Sequence, residues 1–333
     1  AWTEVNEANT ARRHGGEFGS TTVGIAASGF ISPGGRAPNV EYWDGTNWTE
    51  VAEMNSPRDQ SAGLGVTHTA GLIAGGSTPG ATTAVEQWNG SAWTEIAEIN
   101  TARFAVKGTS TSVSDGIIFG GDVPPYTTKT EKWNGTSWTE LNDLNTARRA
   151  CSGSGTVYTA AFCASGTTTT RVTNTETWDG TNWTAAGSMN TAKRVGARGI
   201  GVLTAAIASG GQLPPNARTN QVELFDGSSW SETTEINTAR AYAGASGVQT
   251  SSLIFGGSTG PPGSPQSATE AWNGTTWTEV NDLASARELG ASSGSQDNTL
   301  ALYAGGQPPG GTPVATTEEF EAPDFEIKTV TTS

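Results

Sequence analysis

Carboxylates recur along this chain at a spacing that invites an acid–base reading. Glu41, Glu86, Glu131, Glu176, Glu223, Glu270 and Glu318 each stand two residues before an aromatic, and Glu4, Glu50, Glu95, Glu140, Glu232 and Glu279 each stand two residues after a tryptophan. An acid–base pair built from carboxyl groups needs two whose surroundings differ, one kept protonated and one ionised. Equivalent acids repeated along a chain instead serve equivalent structural units. A basic residue recurs at the same period: Arg12, Arg58, Arg103, Arg148, Lys193, Arg240 and Arg287. The expectation is that each glutamate of the first set pairs with the basic residue that opens a neighbouring inner strand. The role of all fourteen is then structural.

The remaining chemistry-bearing residues are few. His14 and His68 lie outside any H-x-x-x-H or H-E-x-x-H context, so no metal site is expected. The segment GASSG at 290–294 matches the G-x-S-x-G pattern of serine hydrolases, yet no helix is expected after it and the strained nucleophile elbow is missing. The two cysteines, Cys151 and Cys163, are too few for a disulfide scaffold. A turn centred on Val157 would set them opposite each other across adjacent strands. A buried free thiol is favoured over a cross-strand disulfide, which is often strained. No catalytic residue and no cofactor is expected, and the chain reads as a non-enzyme.

The elements that position these residues follow from an internal repeat. Trp2, Trp48, Trp93, Trp138, Trp183, Trp230 and Trp277 lie 45 to 47 residues apart. Five residues before each of the last six stands another aromatic: Trp43, Trp88, Trp133, Trp178, Phe225 or Trp272. Phe320 closes the series. Asn-Gly or Asp-Gly lies between the paired aromatics, a hairpin signal because both residues accept positive φ. After each basic residue comes a run of small residues, then an apolar strand ending in a small doublet. The doublets are glycine pairs in four repeats, with a serine in first place at Ser28, Ser165 and Ser209. Each repeat therefore reads as four strands and no helix.

Four-stranded units of this period imply an all-β, seven-bladed β-propeller. Its last blade, built from 288–322, is closed by an N-terminal strand within 1–7, and 323–333 forms a tail or linker strand. The basic residue, the diglycine and the two spaced aromatics resemble the kelch motif over almost the whole chain. The Thr-, Asn- and Gly-rich texture resembles kelch-like repeat proteins of marine bacteriophages. The turn DGTNW at 44–48 is similar to the sialidase Asp-box but has one residue fewer between Asp and Gly. It reads as a plain hairpin.

Composition limits the partners. The net charge of −14 argues against a nucleic acid, which demands clustered Lys and Arg. No apolar run is long enough to span a membrane. The chain begins without Met on a strand-like segment, as a processed chain or a piece of a longer one would. The loops between the doublet and the next aromatic vary most, and variation on a rigid frame is where binding residues are expected. Arg36, Tyr126, Lys129, Arg171 and Arg218 stand out there as contacts. The phage resemblance implies a virion or extracellular surface protein, of decoration or tail-fibre type. Its partners would be other virion proteins and a host glycan or receptor. The alternatives are an intracellular kelch adaptor and, less favoured, a carbohydrate-active enzyme.

Overall fold

The computed structural model describes residues 1–31, 35–194, 200–260, 264–294 and 297–322. The tail expected at 323–333 lies outside these residues.

Seven four-stranded antiparallel sheets make a β-propeller, and no helix occurs among the described residues. Blade one is Gly16–Gly19, Gly24–Ala27, Val40–Trp43 and Trp48–Val51. Blade two is Ala62–Thr67, Ala70–Ala74, Val85–Trp88 and Trp93–Glu95, and blade three is Lys107–Ser112, Asp115–Phe119, Thr130–Trp133 and Trp138–Glu140. Blade four comprises Ser152–Val157, Ala160–Ala164, Thr175–Trp178 and Trp183–Ala186. Blade five comprises Ile200–Val202, Ala205–Gln212, Arg218–Phe225 and Trp230–Thr233. Blade six comprises Gly244–Val248, Ser251–Phe255, Thr269–Trp272 and Trp277–Val280. Blade seven joins Ala291–Gly294, Leu300–Ala304 and Thr317–Glu321 to the N-terminal strand Trp2–Val5, which pairs Trp2 with Phe320. Chain closure thus covers an edge that would otherwise stay unpaired.

First strands of consecutive blades pack on one another around the axis. Crowding there explains the small residues: a Cβ on Gly63 would meet the backbone oxygen of Glu17 at 2.7 Å. The paired aromatics oppose each other in register, as in Trp133 with Trp138, and the outer ring packs onto the preceding blade.

Each first-set glutamate is a buried clamp within one blade. Glu131 pairs with Arg103, accepts N–H groups from Asn100 at 2.6 Å and Thr101 at 3.2 Å, and accepts the Asn100 side-chain amide at 2.9 Å. Arg103 also donates to the carbonyls of Lys129 and Gly120, so one ion pair ties the incoming crossover to the second and third strands. The other six pairs are Arg12–Glu41 at 2.5 Å, Arg58–Glu86 at 3.2 Å, Arg148–Glu176, Lys193–Glu223 at 3.3 Å, Arg240–Glu270 and Arg287–Glu318 at 2.6 Å. The second set, Glu4 through Glu279, lies exposed on the outer strands.

Three local readings are corrected. The aromatic hairpins are four-residue loops in which only the glycine takes positive φ, as at Gly45 with φ 92°. Asp44 instead accepts the N–H groups of Thr46 and Asn47 at 2.8 and 2.7 Å, stabilising the turn from outside the left-handed region. In blade five the doublet is Gly210–Gly211, not one led by Ser209, because the first position needs φ near 60° and Gly210 supplies it at 62°. Blade four turns at Tyr158–Thr159 with an irregularity between Ser154 and Val157, so Cys163 faces Gly153 rather than Cys151. Both cysteines are buried free thiols in one core cluster.

Candidate functional site

The residue after each repeat basic residue is Arg13, Asp59, Phe104, Arg149, Arg194, Ala241 or Glu288. Each forms an isolated antiparallel bridge with the residue just past the doublet: Phe30, Ser77, Asp122, Thr167, Gln212, Ser258 and Gln307 respectively. These bridges bring the crossovers and the variable loops together at one mouth of the central channel. The bridge recurs in all seven blades. The side chains do not.

The next residue inward adopts the left-handed region at His14, Gln60, Ala105, Ala150, Tyr242 and Leu289, with φ of 50° to 62°. This conformation turns the chain from the crossover into the first strand and aims those side chains at the channel. A cavity of about 250 Å³ lies there, lined by residues from every blade, His14, Gln60, Lys107, Cys151, Arg194 and Tyr242 among them.

Arginines concentrate around its rim. Arg149 pairs with Asp122 at 2.6 Å and lies 5.2 Å over the Tyr126 ring. Arg171 donates to Gln212 Oε1 at 2.5 Å, to the Pro215 carbonyl at 3.2 Å and to Asn216 Oδ1 at 3.3 Å. Arg194 and Arg218 lie 5.5 and 5.3 Å from the Tyr242 ring, whose hydroxyl donates to the same Gln212 oxygen at 3.1 Å. Arg36 bridges blades one and two through Asp59 at 2.6 Å and Ser77 at 3.0 Å.

Electrostatics follow from this crowding. Burial pulls Arg194 below its ordinary value, and the charges of Arg149 and Arg171 add to the effect. Burial lowers Lys107 as well. His14 drops to about 4, through burial first and then through Arg13. Glu288 rises, because its own burial outweighs the pull of Arg218 and Arg13.

Of the loop residues that sequence singled out, Arg36, Tyr126, Arg171 and Arg218 come to this mouth. Lys129 does not. It pairs with Glu140 at 3.2 Å and Asp143 at 3.4 Å beside its own outer strand, and those two carboxylates raise its pKa. Sequence reasoning missed Arg13, Arg149, Arg194, Tyr242 and Lys107. Their signal was present as columns. Arg13, Arg149 and Arg194 occupy a slot that changes from blade to blade beside an invariant basic residue. Lys107 interrupts a column otherwise made of Gly16, Ala62, Ser152, Ala197, Gly244 and Ala291.

No protein-family model matches the sequence, and no curated protein matches it. Among solved structures, the one titled "Structure of YjhT" superposes with a TM-score of 0.60 at 17% identity, covering 79% of this chain and 94% of that one. At that identity the likeness shows the propeller fold alone.

Proposed function

We propose that this protein is a non-enzymatic binding module that contacts a glycan or protein through the arginine- and tyrosine-bearing channel mouth, as a virion or extracellular surface protein would. One observation carries the reading: in a frame whose pairs, turns and aromatics repeat from blade to blade, arginine and tyrosine side chains that break the repeat gather at one mouth. Arg and Tyr are the residues that dominate binding hot spots. Their guanidinium and ring faces suit sugars and protein surfaces alike. The kelch-like motif and the phage-like texture of the repeats support the surface setting.

The test is binding of labelled full-length protein to a glycan array and to intact cells, with Arg171→Ala and Arg218→Ala beside the parent. Signal lost in both variants at unchanged melting temperature supports the reading. Signal that survives both substitutions sinks it. Turnover of a glycoside by the parent would make it an enzyme instead.

A further inference from the structure

Among the described residues, two cations that line the channel cavity, Lys107 and Arg194, have no ion-pair partner. Lys107 opens the first strand of blade three and lines the cavity at a position where the other repeats carry a small residue. The groups that act on it most strongly, after burial, are Cys151, Arg194 and Cys163, and no carboxylate is among them. Arg194 lies 5.5 Å from the Tyr242 ring, and among the described residues no carboxylate pairs with it. Arg149 by contrast has Asp122 and Arg36 has Asp59. His14, on the same wall, is held neutral near pH 7 by burial and by Arg13. Glu17 is the one carboxylate on the described wall and already has an interaction of its own.

Lys107 and Arg194 are half-buried, and a partly desolvated cation without a counter-charge costs stability, a cost that persists when something else makes use of the charge. A carboxylate, sulfate or phosphate would offset it, accepting hydrogen bonds from the Lys107 ammonium and the Arg194 guanidinium. We propose that the channel mouth is an anion site, in which Lys107 and Arg194 take a compact oxyanion or the acidic group of a sugar. Gln60 and Tyr242 line the same cavity. The cavity of about 250 Å³ accommodates such a group and not a folded partner.

This inference rests on the reading of the mouth as the binding face, yet the two fail separately. Anion titration needs no receptor, and array binding needs no free anion. Full-length protein at low ionic strength is titrated calorimetrically with sulfate, inorganic phosphate and glucuronate, against chloride. Saturable heat is expected for at least one of the three, weakened tenfold or more in Lys107→Met and in Arg194→Gln. Tighter binding of glucuronate than of the inorganic ions would assign the site to an acidic sugar, and the reverse order to a free oxyanion. Heats equal to those of chloride overturn the proposal, as do heats unchanged in the variants. In chloride alone Lys107→Met should melt above the parent, since it removes an uncompensated charge. A lower melting temperature would mean that Lys107 supports the fold, and would overturn the site.

Discussion

Trp183 in blade four donates its indole N–H to the Thr130 hydroxyl of blade three at 2.8 Å, with both side chains buried. The same bond joins Trp230 to Thr175 at 2.8 Å, Trp2 to Thr269 at 2.9 Å and Trp48 to Thr317 at 3.0 Å. In the other three blades the equivalent third-strand residue is Val40, Val85 or Val222, and the facing indoles of Trp93, Trp138 and Trp277 are buried without a partner. One side chain thus decides whether a blade interface is satisfied.

Val85→Thr should therefore stabilise the propeller. Satisfying a buried N–H gains roughly 1–3 kcal/mol, and the methyl exchanged for a hydroxyl returns about 0.8 kcal/mol of that. A net gain of about 1 kcal/mol is expected in chemical denaturation, with Thr130→Val losing a similar amount. If Val85→Thr proves neutral while Thr130→Val is costly, the Trp138 indole has found another partner.

The doublet position makes a second contrast. Ser28 and Ser165 take left-handed φ of 56° and 61°, where a Cβ costs about 1–2 kcal/mol. The Ser28 hydroxyl donates to Ala37 at 2.8 Å and accepts the Arg58 N–H at 2.8 Å, whereas the Ser165 hydroxyl is buried without a partner. Ser165→Gly is expected to stabilise by about 1–2 kcal/mol after the entropy of glycine is subtracted. Ser28→Gly should be neutral or destabilising. Equal effects at both positions would show that the hydroxyl contacts are immaterial.

The glutamate clamp predicts a large loss. Glu131→Gln would leave Arg103 buried without a counter-charge and set an amide donor against the N–H groups of Asn100 and Thr101. Removing one partner of a buried pair costs about 3–5 kcal/mol. A denaturation midpoint within error of the parent would overturn the clamp.

The repeat period, the hairpin aromatics and the small first strands made the propeller and its closure legible, because periodic burial leaves periodic residues. The clamp was only half legible. The spacing pointed from Glu131 to a basic residue, but not to Asn100, since hydrogen bonds to a crossover backbone leave no hydrophobic pattern. Loop composition drew attention to Lys129, which is held by Glu140 and Asp143. It passed over Arg194, which sits in an ordered bridge beside Lys193, the basic residue of its repeat. Deviation within a repeated column marked the mouth more faithfully than loop variability did.

His14 predicts how stability responds to acid. Its folded value near 4 lies below the usual 6.5, so between those pH values the unfolded chain binds the extra proton. Stability is then complete above pH 6.5 and falls as pH drops toward 4, by roughly 1–3 kcal/mol once partial exposure is allowed for. Arg13 and Arg194 disfavour the imidazolium, Asp59 favours it, and Glu17 and Lys107 share its cavity. His14→Gln should flatten this part of the profile while leaving the carboxylate-driven losses below pH 4 in place. Unfolding free energies measured from pH 7.5 to 4 for parent and variant check the sign: parallel curves would show that His14 titrates alike in both states.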